Sequence, residues 1–161
     1  MSQTGVLFVC LGNICRSPTA EGVFDAKLKE HEDLASMLVV DSAGTAAYHV
    51  GNPPDSRSAA IAARRGYDLS RLRARAVDQA DFSRYRYILA MDQQNLDNLK
   101  SICPADFDGH LGLFLDFAGM KNAEVPDPYY TRGDKGFEQV LDLVEAAADG
   151  LLGHLREELL G

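Results

Sequence analysis

The chain has 161 residues, 46% of them hydrophobic, and a formal net charge of -8. That is one ordinary domain's worth of material, so residues 1–161 are expected to form a single domain with a proper core. The acidic balance argues against a general nucleic-acid or anionic-membrane surface, since either calls for basic patches. Three cysteines, with Cys10 and Cys15 close together, make no disulfide framework and point to a reducing, cytoplasmic setting. His31, His49, His110 and His154 are too scattered to suggest a structural zinc site, so no metal or other cofactor is expected. The N-terminus is read as running straight into a strand, and neither a signal peptide nor a membrane span is expected.

The run Val6-Leu7-Phe8-Val9 is short and continuously apolar, as expected of a strand buried on both faces of a parallel sheet. It delivers Cys10 to the strand's C-terminal end. Ser17 and Pro18 are expected to be the N-cap and first position of a helix, because Ser can accept from orphan amides and Pro has none to lose. Cys10-Leu11-Gly12-Asn13-Ile14-Cys15-Arg16-Ser17 is therefore a loop between a strand end and a helix start. A loop so placed gathers backbone N–H groups and the positive end of a helix dipole, which together suit a phosphate-like anion. Arg16 adds a planar fork that matches two oxygens of a tetrahedral oxyanion. A thiol at the centre of that cradle is expected to ionise and act as a nucleophile.

Ala20, Val23, Phe24 and Leu28 continue at helical spacing, predicting a first helix to about His31. Leu38-Val39-Val40 reads as a second buried strand, ending at Asp41-Ser42 and so feeding polar side chains to the same sheet edge as Cys10. A long loop follows with Tyr48, His49, Pro53 and Pro54, in which His49 is read as structural. Ser56 to Arg65 is expected to be a second helix, stopped near Gly66. The basic run Arg71, Arg73, Arg75 is read as a solvated face. Tyr87–Met91 should be the third strand, with Asp92 capping a helix to about Ser101 that Pro104 stops. His110 to Leu115 holds a fourth strand, and Cys103 is a structural thiol. From Phe137 an apolar stripe predicts a long C-terminal helix, with a kink or fraying allowed at Gly150 and Gly153.

Asp127 lies between Pro126 and Pro128, which hold it on a stiff, extended loop where a carboxyl could serve as a general acid. Alone, an Asp-Pro pair is ordinary turn punctuation. Beside the Cys10 loop, it completes the parts for phosphoryl transfer.

These stretches resemble the low-molecular-weight protein tyrosine phosphatases, whose phosphate loop has the form C-x-G-N-x-C-R-S. The resemblance extends to Asp41-Ser42-Ala43-Gly44-Thr45, to Tyr48-His49 and to Asp127-Pro128-Tyr129-Tyr130, in the family's order. It implies the phosphotyrosine protein phosphatase I type of flavodoxin-like α/β fold, a four-stranded parallel open sheet flanked by helices on both faces. It also implies a metal-independent protein-tyrosine phosphatase with a phosphocysteine intermediate. On that reading Cys10 is the nucleophile, Arg16 and the amides of Leu11, Gly12, Asn13, Ile14, Cys15 and Ser17 bind phosphate, and Asp127 is the general acid. Ser17 also assists the thiolate as it leaves. Tyr48, Tyr129 and Tyr130 contact the substrate, with Tyr48 as an aromatic wall at the pocket rim.

The implied partners are a phosphotyrosine protein or peptide, with inorganic phosphate as product. A bacterial source would suggest a tyrosine kinase of polysaccharide export or a secreted, host-directed role, and no residue decides between them. One departure stands out: the family commonly has His hydrogen-bonded to the loop Asn where this chain has Leu72, so Asn13 is not expected to be held by that route. Cys15 is close enough in sequence to form a reversible disulfide with Cys10 under peroxide.

An arsenate reductase also uses a C-x5-R loop but needs further resolving cysteines, and only Cys103 remains. A protein-arginine phosphatase tends to carry Thr at the position of Ile14, so Ile14 with Tyr129 and Tyr130 favours phosphotyrosine. A phosphopeptide-binding module without turnover would be free to lose the nucleophile, and this chain keeps it.

Overall fold

The structure is a computed structural model describing residues 3–129 and 131–161. Four strands, β1 (Thr4–Cys10), β2 (Leu38–Gly44), β3 (Tyr87–Ala90) and β4 (His110–Leu113), form a parallel sheet in the order β2-β1-β3-β4. The helices are α1 (Arg16–Leu28), α2 (Glu32–Ala35), α3 (Ser56–Arg64), α4 (Asp81–Arg84), α5 (Gln93–Ile102) and α6 (Lys135–Leu160), with a 3-10 turn at Phe114–Ala118. Strand order reverses beside β1, so the cleft at the sheet's C-terminal edge opens there.

Alternation along β1 builds two cores. Val6, Phe8 and Cys10 face the side covered by α1 and α6, where the Phe8 ring meets Phe24 and Phe114 edge-on at 5.7 and 4.9 Å. Leu7 and Val9 face the other side, packing with Phe82 of α4 and Leu96 and Leu99 of α5. Burial on both faces is what makes the β1 sequence a continuous apolar run rather than an alternating one.

Register brings three strand ends level. Cys10 pairs with Gly44, and Val9 with both Ala43 and Ala90. The loops after β1, β2 and β3 therefore leave from one line. At Gly44 a Cβ would lie 2.7 Å from the Leu11 carbonyl oxygen, so the β2 end must be glycine for the Cys10 loop to sit against it.

Several elements differ from their sequence expectation. β2 runs on to Gly44 and is an edge strand with one neighbour, which leaves Val39 41% exposed rather than buried. The first helix ends at Leu28, and His31 instead precedes the separate turn α2. β4 stops at Leu113, where the chain tightens into the 3-10 turn. α6 starts at Lys135 and passes unbroken through Gly150 and Gly153, its stripe from Phe137 to Leu155 buried against the sheet and α1.

Arg75 is not solvated like its neighbours Arg71 and Arg73. Its guanidinium bonds both oxygens of the fully buried Asp81, at 3.0 and 3.1 Å, and Asp41 at 3.0 Å. That network ties the segment after α3 to β2.

Candidate active site

Cys10 is the last residue of β1 and is 3% exposed. The chain then turns through Asn13, whose φ of 57° lies in the left-handed region that Asn tolerates better than other non-glycine residues. This turn points the Asn13 amide back at Cys10, with its N–H donating to Sγ at 3.3 Å. Arg16 opens α1 and is as buried as Cys10.

Ser17 does not cap this helix. α1 begins two residues earlier than expected, with Cys15 at the N-cap position and no side-chain cap, and the Ser17 hydroxyl lies 3.0 Å from Cys10 Sγ. The surrounding bonds set what this hydroxyl receives and what it can reach. The Arg75 N–H donates to Asn13 Oδ1 at 3.0 Å, which sets the orientation of the Asn13 amide. Asn13 Nδ2 then donates to Ser17 Oγ at 2.7 Å and Ser42 Oγ at 3.0 Å. Ser42 in turn donates to Glu21 Oε1 at 2.7 Å. With its oxygen receiving from Asn13, the Ser17 hydroxyl has two acceptors within reach, the Cys10 sulfur at 3.0 Å and the Ala43 carbonyl at 3.4 Å, of which the sulfur is the nearer. Asn13 is thus held by Ser17, Ser42 and Arg75, in agreement with Leu72 taking no part.

Arg16 is gripped from behind. Nη1 donates to Asp92 Oδ2 at 2.6 Å and to the Val125 carbonyl at 3.1 Å, while Nη2 lies 3.7 Å from Asp127 Oδ2. Burial works against its charge, but Cys10, Asp92 and Asp127 outweigh that and raise its pKa above the ordinary guanidinium value. Arg16 is therefore a fixed cation beside the thiol. Cys15 contrasts with it: burial, reinforced by Asp55, pushes its thiol up to about 12, so it is neutral at physiological pH. Cys10, Cys15 and Cys103 are all free thiols.

Asp127 Oδ1 accepts the Tyr129 amide at 3.0 Å, an Asx turn that presents the carboxyl toward Arg16. Leu11, Gly12, Ile14 and Cys15 floor a small open cleft of about 70 Å³, with Tyr48, His49, Asp127 and Tyr129 on its walls. Tyr48 is 77% exposed at the rim. Tyr130, expected to contact substrate, lies outside the described residues.

His49 was expected to be structural, yet it lines the cleft between Tyr48 and Tyr129, with ring centroids 6.4 and 6.2 Å away. Asp92 is the larger omission. It caps α5 as expected, its Oδ1 accepting from the Asn95 amide at 2.8 Å, and its second oxygen holds Arg16. Its place just beyond the C-terminal end of β3 is the signal that could have revealed it. Among the described residues no cluster of three His, Cys, Asp or Glu side chains could hold a metal ion, and no helix is long and apolar enough to cross a membrane.

A buried thiol and guanidinium, presented by one strand–loop–helix turn and faced by a carboxyl across a cleft, define the C-x5-R class of α/β proteins. Comparison with known sequences narrows this: residues 5–160 match the family model of the low molecular weight phosphotyrosine protein phosphatases, and the chain belongs to that family. A putative low molecular weight protein-tyrosine-phosphatase of Synechocystis is 44% identical over 96% of this chain and 98% of its own. The crystal structure of a protein tyrosine phosphatase from Entamoeba histolytica superposes with a TM-score of 0.91 at 42% identity, covering 98% of this chain and all of that one. A Drosophila arginine phosphatase has the same fold at 29% identity, with a TM-score of 0.87 over 94% of this chain and 97% of its own.

Proposed function

We propose that the protein is a metal-independent protein-tyrosine phosphatase working through a phosphocysteine intermediate. The observation that carries this reading is Cys10 Sγ held by the Asn13 amide at 3.3 Å and the Ser17 hydroxyl at 3.0 Å, beside the buried Arg16. In the first step the Cys10 thiolate forms a bond to phosphorus in line with the departing oxygen. Arg16 and the amides from Leu11 to Ser17 hold the three equatorial oxygens, supplying the positive charge that other phosphatases take from metal ions. As the P–O bond to the tyrosyl group breaks, the Asp127 carboxyl gives its proton to that oxygen.

In the second step water attacks the phosphocysteine. Asp127, now a carboxylate, removes the water's proton, and the S–P bond breaks to return the thiolate and inorganic phosphate. Ser17 steadies that thiolate as it leaves. Positioned proton transfer contributes about 10² to 10⁴ in rate in such reactions.

The substrate is a phosphotyrosine protein or peptide, and a cytoplasmic tyrosine kinase is a suitable one. The deep thiol requires an ester whose phosphate stands away from the peptide backbone on a long, flat side chain, which Tyr48, Tyr129 and Ile14 can flank with apolar surface. Ile14 supplies that surface where the arginine-specific branch tends to have Thr.

The test is hydrolysis of p-nitrophenyl phosphate with a chelator present, for wild type, Cys10→Ser and Asp127→Ala. Turnover abolished by the first change and lowered about 10² to 10⁴-fold by the second is expected. No turnover by the folded, reduced wild type would overturn the reading. A preference for phosphoarginine over phosphotyrosine peptides would overturn the substrate assignment alone.

A further inference from the structure

We propose that Arg57 is a positioning residue that sets the loop carrying Asp127 in register with the loop carrying Cys10. This rests on the reading of Asp127 as the general acid.

Asp127 sits midway between two anchored residues. Two positions before it, Val125 donates its amide to the Met91 carbonyl at 2.8 Å and accepts Arg16 Nη1 at 3.1 Å. Two positions after it, the Tyr129 carbonyl accepts Arg57 Nη2 at 2.9 Å, and the Thr131 carbonyl accepts Arg57 Nη1 at 3.3 Å. The first anchor ties Asp127 to the sheet and to Arg16. The second ties it to the start of α3.

That start of α3 is itself bonded to the phosphate loop. The Asp55 amide donates to the Ile14 carbonyl at 2.8 Å, and the Asp55 carboxylate accepts the Arg57 and Ser58 amides at the helix N-terminus. The same carboxylate takes Arg57 Nε and Nη2, each at 3.3 Å. The guanidinium lies over the Phe137 ring, with Cζ 4.5 Å from its centroid. One short unit, Asp55 with Arg57, is therefore bonded to the Cys10 loop through backbone and to the Asp127 loop through side chain. A planar fork stacked on a ring, serving a carboxylate and two carbonyls at once, is a task for Arg that Lys cannot reproduce.

Among its described residues, the segment from Gly119 to Asp134 has no helix or strand of its own. In a loop of that length, a small displacement of the carboxyl costs catalysis far more than it costs folding. Losing Arg57 should therefore act where the proton from Asp127 is needed most, on esters whose leaving group is a poor one.

The experiment compares kcat/KM for phenyl phosphate and p-nitrophenyl phosphate across wild type, Arg57→Ala, Arg57→Lys, Asp127→Ala and Arg57→Ala/Asp127→Ala. Arg57→Ala should lose about 10-fold or more on phenyl phosphate and only about 2 to 3-fold on the better leaving group. Inhibition by inorganic phosphate should stay within about 2-fold of wild type, since Arg16 and the loop amides are untouched. Arg57→Lys should recover only part of the loss. In the Asp127→Ala background, Arg57→Ala should change the rate less than about 2-fold, because the two act as one unit.

Equal losses on both esters would overturn the proposal, as would full rescue by Lys, additive losses in the double variant, or weakened phosphate inhibition in step with the lost rate. Were Asp127→Ala itself as active as wild type on phenyl phosphate, the acid assignment would fail first and take this proposal with it.

Discussion

The carboxylate of Asp92 lies 2.6 Å from Nη1 of Arg16, a charge-assisted bond between residues 76 positions apart. It fixes the guanidinium from behind, leaving Arg16's other edge toward Asp127 and the thiol. Hydrogen bonds to charged groups are worth about 1.5 to 3 kcal/mol, so Asp92→Ala should lower kcat/KM about 10 to 100-fold. Inhibition by inorganic phosphate should weaken in parallel. Steady-state kinetics with the circular dichroism of the variant checks both, and wild-type phosphate affinity would show that Arg16 needs no such support.

Ser17→Ala removes the hydroxyl 3.0 Å from the Cys10 sulfur and leaves one Asn13 N–H without its acceptor. The expected result is a fall in kcat of about 10 to 100-fold on p-nitrophenyl phosphate, because the bond to the departing thiolate is lost. Burst kinetics should show phosphocysteine breakdown slowed. A variant with an unchanged breakdown rate would assign Ser17 to loop folding alone.

Glu21 makes stability depend on pH. Burial, with Asp41 and Asp25 nearby, pushes its carboxyl up to about 7, against the opposing influence of the Ser42 hydrogen bond and Arg75. Between about pH 4.5 and 7 the folded state then holds a proton that the unfolded state has released, so stability falls as pH rises through this window. The contribution is fully present below pH 4.5 and is lost above 7, amounting to about 1 to 3 kcal/mol. Urea denaturation of wild type and Glu21→Gln at pH 5 and pH 8 isolates it. The variant's stability relative to wild type should rise by that amount between the two.

Two glycines three residues apart in α6 should respond in opposite directions. A Cβ at Gly150 would collide with the Phe117 carbonyl oxygen, whereas one at Gly153 meets nothing within 4 Å. Gly150→Ala should destabilise by about 3 kcal/mol or more, since backbone cannot step aside as a side chain can. Gly153→Ala should stabilise by about 0.5 to 1 kcal/mol through helix propensity. Thermal melts should move down by several degrees for the first and up by a few for the second.

The Cys10 loop, the β1 run before it and the stripe of α6 were legible in the sequence because each is a local pattern. An apolar run of strand length, a turn residue at Asn13 and apolar positions at helical spacing depend on neighbours a few residues away. The placement of the C-x5-R groups could be read there for the same reason, since thiol, amides and guanidinium all lie on one strand–loop–helix turn.

What tertiary structure decided is everything that reaches that turn from elsewhere. Asn13 is held by Ser42 and the Arg75 amide, 29 and 62 residues away, and Arg16 by Asp92 and Val125, 76 and 109 residues away. Arg57 meets Tyr129 across 72. Each of these residues had an adequate local role: Asp92 as a helix cap, Ser17 as another, Arg75 as a solvated cation, His49 as a loop histidine. Hydrogen bonds act over about 3 Å of space whatever the separation along the chain. Periodicity could place strands and helices, but only the order β2-β1-β3-β4, with its strand ends drawn level, could say which polar side chains meet at Cys10.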